Sequence, residues 1–98
     1  MWCLTIRIKR NDQFHGKPLH RLLIEFLMDA KISDATVWTG VDVFGKRRST
    51  IHLEGITVDM PLMIEVIDEQ SRLEPLFPQI KRVVNDNGVV SLHEVEVF

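Results

Sequence analysis

The residues best suited to chemistry in this 98-residue chain are cations. Lys46-Arg47-Arg48 follows Gly45 directly. Arginine offers a planar fork that takes two oxygens of a phosphate or carboxylate, and glycine lets a backbone N–H come close to such an anion. The same run also reads as a solvated loop tip, where each exposed charge contributes only ~0–1 kcal/mol. A second set, Lys9, Arg10, Lys17 and Arg21, falls between the end of a first strand and the start of a first helix. A helix N-terminus with nearby cations attracts anions; the plainer alternative is a solvated connection. If the first strand and the base of the loop holding residues 46–48 meet at one end of a sheet, both sets face one cleft. That convergence is the main support for an anionic ligand.

Other chemistries find less support. His15, His20, His52 and His93 show no metal-ligand spacing, since His15 and His20 are neither an i,i+4 helix pair nor a zinc motif. No Ser-His-Asp or Cys-His arrangement can be read, so the expectation is a protein without catalysis, resident metal or required cofactor. The single cysteine, Cys3, permits no internal disulfide. It suits a reducing cytoplasm and reads as a small apolar filler on a strand.

Composition bounds the rest. The chain is 45% hydrophobic and 27% charged, which describes a folded domain rather than a disordered tail. Its length makes it one domain over residues 1–98, small enough that self-association would help its stability. Apolar runs are far shorter than the ~20 residues that span a bilayer, and Met1 leads straight into a strand pattern, so neither membrane insertion nor a signal peptide is expected. Residues 1–50 carry nine Lys/Arg against five Asp/Glu, whereas residues 51–98 carry three against nine. The net charge of −2 therefore hides a basic first half. A general nucleic-acid binder is not expected, but a local anion site is compatible with this asymmetry.

Elements must position these residues. Trp2, Leu4, Ile6 and Ile8 alternate with polar or small residues, as in a strand. The polar stretch Lys9–Gly16 ends it. Pro18 suits a first helical turn, and Leu19, Leu22, Leu23, Phe26, Leu27 and Ala30 recur at helical spacing over roughly Lys17–Lys31. Ala35–Val43 reads as a second strand and Phe44–Asp59 as a long loop or hairpin; loops this long usually carry function or are disordered. Leu62–Ile67, apolar except Glu65, predicts a strand covered on both faces. Asp68 is a candidate N-cap for a second helix whose stripe runs from Leu73 to Val84, interrupted by Pro75 and Pro78. Asn85–Gly88 is a turn, and Val89–Phe98 a last strand with an irregularity at His93-Glu94.

The order β-α-β-β-α-β is the ferredoxin-like split βαβ plan, an α+β sandwich with helices on one face of the sheet. The opposite face takes Cys3, Thr5, Arg7, Trp38, Met63, Glu65 and Ile67. Several of these are large and apolar, which predicts a homo-oligomer. Arg7 and Glu65 fall on neighbouring strands of that face and are expected to pair within the assembly.

Residues 16–98 also resemble an uncharacterised bacterial family of PII-like proteins, small trimeric relatives of the PII nitrogen-signalling proteins. The matching pieces are Gly16-Lys17-Pro18-Leu19, Asp34-Ala35-Thr36-Val37 leading to Gly40 and Phe44-Gly45, and Ile51-His52. Asp59-Met60-Pro61-Leu62, Glu65-Val66-Ile67-Asp68 and Gly88-Val89-Val90-Ser91-Leu92 with Glu94-Val95-Glu96-Val97 follow in order. The resemblance implies a homotrimer with its sheets around a central axis, and implies that residues 44–59 correspond to the partner-contacting T-loop. It further implies a nucleotide or small effector between subunits at the base of that loop. Val43-Phe44-Gly45-Lys46-Arg47 stands against a Gly-Phe-Gly-Arg-Gln pattern, so Lys46 matches a phosphate-contacting Arg. Arg47 replaces the Gln that helps hold metal and 2-oxoglutarate. The PII loop Gly-Asp-Gly-Lys appears as Asp86-Asn87-Gly88-Val89, without its lysine.

Taken with the residues, this makes Gly40, Phe44, Gly45, Lys46, Arg47, Arg48, Lys9, Lys17 and Gly88 the expected ligand-binding set. The ligand is a small anion, with an adenine nucleotide as one candidate, and an unidentified protein partner would meet loop 44–59. Alternatives are an acylphosphatase-like hydrolase, for which the segment Lys9–Gly16 supplies a single glycine, and a CutA-like metal-responsive trimer. RNA binding of the RRM kind would need aromatic residues on the open sheet face, where the chain has few.

Overall fold

A computed structural model describes residues 1–40 and 60–98 of the chain. The structured elements are β1 (Trp2–Lys9), β2 (Gln13–Phe14), β3 (Lys17–Pro18), α1 (Leu19–Asp29), β4 (Thr36–Thr39), β5 (Pro61–Asp68), α2 (Gln70–Leu73), α3 (Phe77–Val84) and β6 (Val89–Glu94). The main sheet is antiparallel in the order β4-β5-β1-β6. With β2 and β3 set aside as a small hairpin, this is the ferredoxin-like topology that the element order predicts.

Alternation decides which side chains form the core. Leu4 of β1 stands opposite Val66 and Leu92, Ile6 opposite Ile64 and Val90, and Ile8 opposite Leu62. These apolar rows meet Leu19, Leu23 and Leu27 of α1 and Leu73, Ile80, Val83 and Val84 of the second helical segment. Leu19, Leu23 and Leu27 recur every four residues, so one stripe of α1 faces the sheet.

The prolines break the second helical segment as expected. α2 gives way to a 3-10 turn at Glu74–Leu76 before α3 begins. Pro75 and Pro78 each occupy an early position where no N–H is needed. Asp68 precedes the cap position, which Glu69 takes without a side-chain cap bond. Asp68 Oδ1 instead accepts the Glu69 N–H at 2.7 Å, and its other oxygen lies 3.3 Å from Arg72 Nε. Arg72 also donates to the Lys31 carbonyl at 2.6 Å, which ties α2 to the end of α1.

Other expectations change as well. The segment after β1 is not featureless: β2 and β3 pair as a hairpin whose central residues, His15 and Gly16, both have positive φ (50° and 80°). That is the signature of a tight two-residue hairpin turn. Helix α1 starts at Leu19 rather than Lys17, because Lys17 and Pro18 are the second arm of the hairpin. The last strand ends at Glu94 instead of Phe98, because Glu94 already stands opposite Trp2, the first residue of β1, and the ladder has no further partner. A bond from the Val95 N–H to the Met1 carbonyl, 2.9 Å, continues the contact.

Among the described residues the other sheet face carries no helix. Its rows read Ile67, Cys3, His93; Thr36, Glu65, Thr5, Ser91; and Trp38, Met63, Arg7, Val89. Trp38 is 53% and Ile67 41% exposed, so β5 is covered on one face only within a single chain. The hydroxyls of Thr5 and Ser91 hydrogen-bond across this face.

Candidate functional site

Both flanks of residues 41–59 leave from one end of the sheet. The Gly40 N–H donates to the Pro61 carbonyl at 3.2 Å, and the Arg10 N–H donates to the Met60 carbonyl at 2.8 Å. Lys9 stands opposite Pro61. The end of β1, the end of β4 and the start of β5 thus meet, which places Lys9, Arg10 and Gly40 together. Phe44, Gly45, Lys46, Arg47 and Arg48 lie outside the described residues, as does His52.

This corner contains a shallow pocket of about 220 Å³ lined by Arg7, Trp38, Gly40, Pro61 and Met63, among others. Arg7 belongs to it because β1 alternation sends residues 3, 5, 7 and 9 to the open face. Its cross-strand neighbours Met63 and Val89 are apolar, and no ion pair holds it among the described residues. Glu65 stands opposite Thr5, one row away, so Arg7 and Glu65 are diagonal neighbours that do not pair within one chain.

The two described glycines of the expected set differ. A Cβ on Gly40 would meet only Pro61, at 3.8 Å, an ordinary contact. A Cβ on Gly88 would fall 2.3 Å from the Arg7 carbonyl and 2.9 Å from Ile8 Cγ2. Gly88 is thus needed for the turn after α3 to lie against β1, and packing alone accounts for it. Gly40 lines the pocket with no such packing demand.

Lys17 lies elsewhere. It borders a groove of about 350 Å³ between the hairpin, α1 and α3, with Phe14, Leu22, Glu25, Phe26 and Asp29. Arg10 borders a third cavity beside the start of α1. Arg21 is exposed on α1. The basic residues flanking β1 and α1 therefore serve separate surroundings rather than one cluster.

Asp12, which sequence reasoning passes over, organises the connection. It is buried, its Oδ2 accepts the Lys9 N–H at 2.8 Å, and its carbonyl accepts the Leu19 N–H at 2.9 Å. The available signal was an aspartate three residues beyond a strand end, a spacing at which the side chain turns back onto the backbone. Cys3 is 4% exposed, and burial first and the Glu65 carboxylate second push its thiol above the ordinary value. A protonated thiol is a poor nucleophile and a poor metal ligand. Among the described residues no three His, Cys, Asp or Glu side chains gather as a metal site, and no helix is long and apolar enough to cross a membrane.

Comparison with known proteins is consistent over the full length. A UPF0166 protein of Methanocaldococcus jannaschii is 25% identical over 96 residues, covering 97% of this chain and 89% of the relative. A UPF0166 protein of Aquifex aeolicus is 28% identical over 97 residues, covering 97% and 90%. The family model DUF190, described as Uncharacterized ACR, COG1993, matches residues 1–97. The chain belongs to the DUF190 family.

Proposed function

We propose that this protein is a PII-like, non-enzymatic regulatory trimer of the cytoplasm. It binds a small anion, such as an adenine nucleotide, between subunits and signals to a protein partner through residues 44–59. The observation that carries this reading is the open sheet face. Exposed Trp38, Ile67 and Val89 share it with Arg7 and Met63, and it reaches the corner where the flanks of residues 41–59 leave the sheet. An apolar face of this kind suits self-association. A neighbouring subunit packed there would turn the shallow Arg7–Gly40 pocket into a cleft. Arg7 and Lys9 then supply fixed cations, and Lys46 and Arg47 supply cations from the segment whose conformation the ligand biases. Such a switch needs only unequal affinity for two states of that segment.

Thermal unfolding with a panel of nucleotides, acyl phosphates, 2-oxoglutarate, bicarbonate and divalent ions tests this. A ligand at a hundred times its Kd stabilises by ~2.7 kcal/mol. An adenine nucleotide is expected to stabilise the native protein but not a Lys46→Ala/Arg47→Ala variant. The absence of any anion-dependent shift would remove ligand binding from the proposal.

A further inference from the structure

The groove of about 350 Å³ lies on the helix side of the sheet, away from the open face, and needs no neighbouring subunit. Three elements build it. From α1 come Leu22, Glu25, Phe26 and Asp29, spaced i, i+3, i+4 and i+7, which is one helical stripe beside the core stripe of Leu19, Leu23 and Leu27. From α3 come Gln79 and Val83, also one turn apart. The hairpin closes one end with Lys17 and with Phe14, whose ring stands edge-on to that of His15, centroids 4.3 Å apart. Phe14, Leu22 and Phe26 pack against the core yet stay only half-buried, so the chain itself does not finish covering this apolar floor. A concave apolar floor with a few polar groups at its rim is the usual build of a binding site.

The rim charges decide what the floor receives. Glu25 and Asp29 are exposed, stand one turn apart on the same stripe, and form no ion pair among the described residues. Like charges at that spacing repel. Asp29 is also the last residue of α1, where the helix end is already negative and no basic residue stands in the last turn. Both placements are unfavourable in the chain alone and become favourable when cations lie over them. Lys17 marks the opposite end, two residues before α1 begins, whereas Asp29 lies ~10 Å along the axis beyond Leu22. Two carboxylates against one ammonium leave the rim acidic, with its negative charge gathered at the Asp29 end. We infer that this groove docks a basic amphipathic helix of a partner protein. Its apolar side chains rest on Phe14, Leu22, Phe26 and Val83, and its Lys or Arg side chains lie over Glu25 and Asp29. A helix laid along two others buries its apolar stripe between them. The groove shares no residue with the pocket at Arg7 and Gly40, so the inference rests neither on the proposed trimer nor on its anion.

Fluorescence anisotropy of a labelled synthetic peptide, built of leucine and lysine at helical spacing and titrated with the full-length protein, tests the inference. Its controls are the same composition in scrambled order and the same peptide with glutamate in place of lysine. Saturable binding of the leucine–lysine peptide at one per chain is expected, at least tenfold tighter than either control. Glu25→Lys/Asp29→Lys changes two exposed side chains and is expected to weaken that binding at least tenfold. It should not lower the unfolding temperature, since lysine suits the C-terminal turn of a helix. Methyl NMR is expected to show the Leu22 and Val83 signals moving on peptide addition, while the indole signal of Trp38, on the opposite sheet face, stays fixed. No saturable binding, equal affinity for the scrambled peptide, binding that the double variant does not weaken, or movement at Trp38 in place of Leu22 and Val83 would each overturn the inference. The Lys46→Ala/Arg47→Ala variant keeps peptide binding here whether or not it loses a nucleotide effect at the loop base, so the two readings fail separately.

Discussion

At the residue scale, two glycines that look equivalent in the sequence separate by what surrounds them. Gly88 lies against the Arg7 carbonyl, so Gly88→Ala forces β1 and the α3–β6 turn apart and should cost ~1–3 kcal/mol in denaturant unfolding. Gly40→Ala meets nothing closer than 3.8 Å and should stay within ~0.5 kcal/mol of the parent, leaving any change in ligand response attributable to the pocket. Cys3 gives a pH test with a defined sign. Its folded-state pKa is raised above the reference 9.0, so the protonated thiol contributes stability below pH 9.0 that is lost as pH rises towards the folded value. Part of the alkaline loss of stability should therefore be missing in Cys3→Ala. Equal pH profiles for the two proteins would contradict this account of Cys3.

At the element scale, the sheet was the most legible part of the sequence. Trp2–Ile8 and Leu62–Ile67 alternate or run apolar over enough residues that period and length agree, and the register places their core sets opposite each other. The prolines likewise announced the break between α2 and α3. The hairpin β2–β3 was hidden because two-residue strands are too short for any periodicity, and His-Gly is a less telling turn pair than Asn-Gly or Asp-Gly. Asp12 was hidden because its role rests on backbone groups at Lys9 and Leu19, which side-chain patterns do not register. Asp12→Ala should cost about 1–3 kcal/mol by leaving the Lys9 N–H without its acceptor, measurable by denaturant unfolding. For the site, sequence offered the meeting of the first strand's end and the loop base only as a condition, and the bonds of Arg10 to Met60 and of Gly40 to Pro61 bring those two ends together. It did not separate Lys17, because the hairpin that carries it towards the groove by α1 and α3 was not foreseen.

At the scale of the whole molecule, the described residues of this 11.4 kDa chain leave one face of a four-stranded sheet without a covering layer. The proposed covering of that face by copies of the chain would account for the exposed Trp38, Ile67 and Val89 and for the diagonal Arg7 and Glu65, which form no ion pair with each other. If those two charges pair between or within packed subunits, Glu65→Leu alone strands an arginine in the interface and should weaken assembly. The double change Arg7→Met/Glu65→Leu should restore it, since a buried pair is often replaceable by apolar residues. Light scattering on the native protein at micromolar concentration addresses the central claim most directly. The account predicts a mass three times that of the chain, reduced in Glu65→Leu; a monomeric mass for the native protein would contradict it.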